Sequence, residues 1–178
     1  METTQTTNPL SFETGRTTLE EVDRLLKESK ADLRRKLEKY IDFFGEFAEY
    51  EMPSKLCEKF IEFGFTFPKT NRNVSISDKK NNISLDVDII LENYSNAMLV
   101  DIKTKLTVEF INDHIDHLEK MRKHADLRGD KRSFLGAVAG VIVTDDVRKY
   151  ALDQGFYLIE PAGQSLNITP PNGKPKEW

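Results

Sequence analysis

Apolar positions along this chain recur first at a helical period, then in short dense runs, then at a helical period again. From Thr17 onward Leu19, Val22, Leu26, Leu33, Tyr40, Phe43 and Phe47 keep close to a heptad rhythm, interrupted at Ser29 and Lys36. That spacing predicts one long helix with a seam. Its first half is too polar for a core helix, so residues 17–41 are expected to form a coiled coil that joins subunits. Between Tyr40 and Gly64 the pattern thickens with Phe43, Phe44, Phe47, Leu56, Phe60, Ile61 and Phe63, then stops. This stretch should pack on the core and end at Gly64. Pro53 inside it removes a hydrogen bond and clashes with the previous turn, which predicts a kink or a restart.

Residues 65–76, 83–92 and 97–103 are short runs rich in Val, Ile and Phe, divided by polar clusters. They read as three strands in a meander. Val108, Ile111, Ile115, Leu118 and Met121 restore a helical period, which the stretch from Leu127 to Asp130 ends. Residues 137–143 then predict a buried strand, 145–154 a short helix stopped by Gly155, and 156–159 a last strand. The expected fold class is α/β (α+β), a mixed sheet flanked by helices over residues 42–160. Residues 1–16 are polar and Thr-rich, and a disordered leader is expected there. Residues 161–178 hold Pro161, Pro170, Pro171 and Pro175 and read as a tail wrapping the surface, anchored by Trp178.

At 178 residues the chain suits one core plus appendages, and 38% hydrophobic residues suffice to fill it. With 31% charged residues there is no apolar run long enough to span a bilayer. The opening residues lack the basic segment and apolar core of a secretory signal, so a cytoplasmic setting is expected. Cys57 is the only cysteine, which excludes an internal disulfide and a cysteine-based zinc site. Net charge is -4, so no global positive field gathers nucleic acid. Such a partner needs a local basic patch or a bound cation.

The chemistry concentrates where Ile83 to Glu92 and Ala97 to Lys103 flank a turn at residues 93–96. Cross-strand partners there have numbers summing to 189. Val87 then meets Ile102, Ile89 meets Val100 and Leu91 meets Met98, an apolar face for the core. On the other face Asp88 opposes Asp101 and Asp86 opposes Lys103. Two aspartates across an antiparallel pair repel each other unless a cation compensates. A hard cation such as Mg²⁺ takes oxygen ligands, which Asp88, Asp101 and the Ile102 carbonyl supply. Lys103, on the same face as Asp101, is placed to hold or activate a water beside a phosphate. The competing reading is an ordinary Asp86–Lys103 pair, with both other aspartates in solvent.

Asp88 followed by Asp101-Ile102-Lys103 resembles the PD-(D/E)XK nuclease superfamily, the fold of many restriction enzymes and Holliday junction resolvases. The order of elements matches from about Asp42 to Ile159, and with the leading coiled coil and the tail the likeness covers roughly 80% of the chain. The stretch from Gly45 to Pro53 is similar to the first core helix of uncharacterised bacterial members, and so are the leading coiled coil and the tail ending on tryptophan. The resemblance implies a restriction-endonuclease-like sheet and a catalytic set of Asp88, Asp101, Lys103 and Glu49, with Glu46 the fallback. It implies Mg²⁺ or Mn²⁺ as cofactor and nucleic acid, with DNA expected, as partner. Asp101 stands where glutamate is commoner, which shortens the reach to metal.

Arg122, Lys123, Arg128, Lys131 and Arg132, with His124, form the densest basic cluster and the natural phosphate-binding candidate. His114 and His117 lie three apart; a metal pair is conceivable, but no third ligand is evident and a polar helix flank is preferred. Asp145 and Asp146 read as a helix N-cap, and Cys57 as a packed thiol. The expected function is a metal-dependent nuclease that forms homo-oligomers through its coiled coil. A reading from another class is a catalytically inactive oligomeric scaffold or nucleic-acid-binding module with the same fold.

Overall fold

The computed structural model describes the backbone of residues 10–163 and 165–178, with side chains from residue 18 onward. The leader expected over 1–16 lies outside the described residues in its first nine positions, and from Leu10 the backbone is helical. Helix α1 runs Leu10–Tyr50 and α2 Met52–Phe60, followed by a 3₁₀ turn, Ile61–Phe63. Then come β1 Lys69–Asp78, β2 Ile83–Glu92, β3 Asn96–Lys105, α3 Val108–Leu127, β4 Ser133–Ile142, α4 Asp145–Asp153, β5 Tyr157–Ala162 and β6 Ser165–Thr169. Residues up to Phe43 form one compact unit, and residues from Phe44 onward form the other. Among the described residues no helix is long and apolar enough to cross a membrane.

Within the first unit the helix satisfies its own polar faces. Arg24 pairs with Glu21 and Glu28, Lys27 with Asp23, and both Arg35 and Lys36 with Asp32, all three or four residues apart. Its seam stays open, with Leu19, Leu26 and Leu33 all more than half exposed.

The second unit is α+β: a six-stranded mixed sheet in the order β1-β2-β3-β4-β5-β6, flanked by helices. Strands β3, β4 and β5 are parallel neighbours; the other pairings are antiparallel. One face carries α3 and α4, whose Ile111, Leu118 and Ala151 pack on Ile90, Leu99 and Val138. The other carries the end of α1 and α2, whose Phe44, Phe47, Leu56 and Phe60 pack on Ile89, Leu91, Met98 and Val100. Covered on both sides, β4 is buried from Phe134 to Gly140. Gly136 in its middle is obligatory, because a Cβ there would fall 2.1 Å from the Phe156 ring.

Pro53 produces a restart. Only Glu51 separates α1 from α2, and the proline sits in the first turn of the new helix, where its missing N–H is not needed. Gly64 then ends the 3₁₀ turn at φ 84°. Strand β1 begins later than the apolar pattern suggests. Phe65 and Phe67 stack on each other at 5.6 Å and edge onto Phe60, so their rings join the α2 layer and the sheet starts after Pro68. The sheet also continues beyond Ile159: β5 extends to Ala162 and pairs with β6, Ile159 opposite Ile168. With only Leu166 and Ile168 buried in β6, its alternation is too short to read. Trp178 anchors the tail by exchanging backbone bonds with Phe134 at 2.9 and 3.2 Å, its ring 5.4 Å from Phe156.

Candidate functional site

The β2–β3 hairpin keeps the expected register for four pairs, Glu92↔Ala97 to Ile89↔Val100, and then parts. Below that point β2 stays with β1, Val74 opposite Val87, while β3 stays with β4, Lys103 opposite Gly140. Val87 therefore does not meet Ile102, nor Asp86 Lys103. Val87 packs in the α3 layer and Ile89, two residues on, in the α2 layer, so strict alternation fails between them. The break coincides with Asn73, across the strand from Asp88, at a left-handed φ of 48°. The single apolar hairpin face expected from alternation is thus divided between two layers.

At the parting point the two aspartates replace ladder bonds. The Asp88 N–H donates to Asp101 Oδ1 at 3.3 Å, and the Ile102 N–H donates to Asp88 Oδ2 at 2.7 Å. Burial pushes the half-buried Asp88 carboxyl above its ordinary value; the Ile102 bond opposes this and the Asp101 charge adds to it. The solvated aspartate of the competing reading is not found at Asp101, which is 5% exposed. No ion pair joins Asp86 to Lys103 among the described residues.

Asp101 is enclosed by α3. Thr107 caps that helix, accepting from the Phe110 N–H, and the 3.6-residue period then turns Ile111, His114, Leu118 and Met121 inward. His114 is thus fully buried, and the solvated helix flank expected for it is not found. Its Nδ1 stands 2.8 Å from Asp101 Oδ2, and His117 Nδ1 hydrogen-bonds the same oxygen at 3.1 Å. Burial opposes ionisation of Asp101, but the two imidazoles outweigh it and hold the carboxyl well below the usual range. The same contact raises His117 above the ordinary histidine value. The third donor that spacing along the chain did not reveal beside the two histidines is Asp101, brought in from the neighbouring strand.

Glu49 and Asp88 line one depression of about 450 Å³, together with Ala48, Arg72 and Ile102. Glu46 does not line it. Arg72 donates to the carbonyls of Glu49 and Tyr50, satisfying the free C-terminal end of α1 and fixing where Glu49 stands. Nothing in the local sequence marks Arg72 for this task. Lys103 borders an adjoining depression with Gly45, Ala48 and Ile102, and its Nζ lies 5.8 Å from the centre of the Phe110 ring. Glu49 and Asp88 thus share a depression, Asp101 adjoins Asp88 through the backbone, and Lys103 stands two residues along β3.

The basic cluster is largely committed to structure. Arg122 donates to the carbonyls of Asp130 and Arg132, and Arg132 clasps Asp130 and Glu92. Lys123 reaches the Asn81 carbonyl at 3.3 Å. Arg128 and Lys131 are exposed and have neither an ion pair nor a side-chain hydrogen bond among the described residues. Arg128 and Arg132 wall a recess of about 630 Å³ between β1 and α3. Thr144 holds the cap position of α4, with Asp145 and Asp146 in its first turn. The Cys57 sulfur lies 3.4 Å from the Thr70 hydroxyl.

Two donor sets meet at Asp101. On the Oδ1 side stands Asp88, whose carboxylate, with Glu49 and Ile102 lining the same depression, offers oxygen of the kind a hard cation takes. On the Oδ2 side the donors are imidazole nitrogens, which suit transition metals.

No family model matches the chain, and no curated protein matches it. Among solved structures it is similar to a protein of unknown function, AF1548, at 16% identity and a TM-score of 0.43, over 59% of this chain and 54% of that one. It is also similar to the small subunit (R.BspD6I2) of the heterodimeric restriction endonuclease R.BspD6I, at 14% identity and a TM-score of 0.32, over 70% and 71%. The chain spans about half the length of the first.

Proposed function

We propose that this protein is a metal-dependent nuclease of PD-(D/E)XK type that hydrolyses phosphodiester bonds, with DNA as substrate. The observation that carries the reading is the parting of β2 from β3 at Asp88 and Asp101, which opens the sheet beside Glu49 and Lys103. Asp88, Asp101 through Oδ1, and the Ile102 carbonyl hold Mg²⁺ or Mn²⁺ in this reading, and Glu49 completes the set. The cation supplies charge stabilisation to a phosphoryl group gaining negative charge. Lys103 orients the attacking water, and Arg128 and Lys131 attract the phosphate backbone. The single thiol fits a reducing, cytoplasmic setting.

The test is cleavage of plasmid and single-stranded DNA, and of RNA, in Mg²⁺ and Mn²⁺. Asp88→Ala and Lys103→Ala should each lower the rate by about 100-fold or more. Wild-type protein inert on every substrate, or an Asp88→Ala variant cleaving at the wild-type rate, would overturn the reading.

The open seam of α1 supports a second element, self-association. Leu19, Leu26, Leu33 and Tyr40 repeat every seven residues, and a second copy of the same helix is the occupant that matches that spacing. Sedimentation of the full chain should show an oligomer, and Leu26→Lys with Leu33→Lys should give a monomer. An oligomer without hydrolysis would favour the scaffold reading.

A further inference from the structure

Between β3 and α3 a buried imidazole nitrogen and a carboxylate oxygen are pressed together. His114 is buried completely, and its Nε2 lies 3.2 Å from the Leu99 carbonyl oxygen. A carbonyl can only accept, so Nε2 carries the ring proton there. In the neutral ring Nδ1 is then a bare lone pair. It stands 2.8 Å from Asp101 Oδ2 and has no hydrogen-bond partner. Two lone pairs at that distance in a buried site repel, so the contact needs positive charge there: either a second ring proton, which makes His114 an imidazolium paired with Asp101, or a metal ion that both atoms ligate. His117 brings a second imidazole nitrogen to the same oxygen, 3.1 Å away, from one helical turn further along α3. All three ligand atoms lie within 4.8 Å of one another, and they are the one group of this kind among the described residues.

We infer that Asp101, His114 and His117 form a binding site for a divalent first-row transition ion, with Zn²⁺ the best match. The donor set is two imidazoles and one carboxylate, a combination that favours such ions over Mg²⁺ or Ca²⁺. The outer support is in place. The His114 N–H to Leu99 fixes the tautomer and turns Nδ1 toward the ion, and the Asp88 N–H holds the opposite oxygen of Asp101. Four ligands about 2.05 Å from zinc stand roughly 3.3 Å apart in a tetrahedron, so the two nitrogen–oxygen separations, 2.8 and 3.1 Å, need to open by about half an ångström or less. His117 is partly exposed, which leaves the fourth position to water or to an incoming ligand. The site shares Asp101 with the oxygen donors at Asp88 and Glu49 but uses its other oxygen, and it does not rest on nuclease activity.

The full-length protein, stripped with chelator, is titrated calorimetrically with Zn²⁺ and with Mg²⁺, and separately with Co²⁺ while visible absorption is followed. One equivalent of Zn²⁺ should bind at least 100-fold more tightly than Mg²⁺, and Co²⁺ should develop the d–d bands of a nitrogen-ligated site. His117→Gln, at the partly exposed position where folding is least at risk, should weaken Zn²⁺ at least 10-fold, and Asp101→Asn should do the same. Asp88→Ala and Glu49→Gln should leave Zn²⁺ and the Co²⁺ spectrum unchanged. Absence of Zn²⁺ binding to wild type, or binding that survives both His117→Gln and Asp101→Asn, would overturn the proposal. Loss of DNA cleavage in Asp88→Ala with Zn²⁺ binding intact separates the two readings. An inert protein that binds Zn²⁺ as described defeats only the nuclease.

Discussion

Strand β2 passes through two charged clusters that are built in opposite ways. At its end, Glu92 receives Arg132 at 2.7 Å, Lys69 at 2.8 Å and Asn71 at 2.6 Å, and Arg132 also clasps Asp130. Every charge there has an opposite within reach. Four residues earlier, Asp88 Oδ2 and Asp101 Oδ1 accept from backbone N–H groups, Asp101 Oδ2 faces His114 and His117, and Glu49 and Lys103 have no ion-pair partner among the described residues. The first cluster closes on itself and leaves nothing for a ligand to satisfy. The second leaves Glu49 and Lys103 unpaired and sets one carboxylate oxygen against two imidazoles, an arrangement open to an added cation. Density of charge along the chain is therefore a poor guide to a site, and unmet demand in the fold is a better one.

The sharpest way to break this comparison is Arg132→Ala. It leaves the shielded Glu92 with Lys69 and Asn71 alone and frees the loop at Asp130, and should lower stability by about 2 kcal/mol in urea unfolding. A loss under about 0.5 kcal/mol would mean the closed cluster is not structural. Arg122→Ala removes two bonds to loop carbonyls and a side chain packed 5.0 Å from the Phe134 ring centre, which should cost about 1–2 kcal/mol in the same measurement.

Glu92 sharpens the comparison through pH. Burial works against its ionisation, but Lys69 and Arg132 prevail and hold its carboxyl below the ordinary value. A carboxyl depressed in the folded state contributes stability that is present above its unfolded pKa and lost as pH falls through its folded one. Glu92→Gln should flatten that acid limb, by about 1 kcal/mol after screening, in urea midpoints measured against pH. The smallest effect belongs to the open cluster: Glu49→Gln and Lys103→Ala should each change stability by no more than about 0.5 kcal/mol. A larger destabilisation by either would place it among the structural charges.

Much of this was readable along the chain. The summed register of 189 holds from Glu92↔Ala97 to Ile89↔Val100 because a tight turn and alternating burial together specify pairing. It fails from Asp88 onward because Asn73 turns left-handed there and carboxylates take the N–H groups that a ladder would use. The helical period of α3 was evident, but which polar residue it would bury was not. His114 reads as a surface histidine until Asp101 and the Leu99 carbonyl are set beside it. The basic cluster misled for the same reason, since Arg132 meets Glu92 forty residues away in the chain.

The sequence by itself determined the kinds and order of the main elements, the heptad seam of α1, the restart at Pro53 and the stop at Gly64. These depend on residues within a turn or two of one another, where the backbone's own geometry sets the outcome. Only the tertiary structure decided where the sheet parts, which charges cancel, and that Asp101 faces two histidines. Those depend on which residues from distant elements occupy the same few ångströms, and in a buried site each polar group is worth only what its neighbours leave unsatisfied.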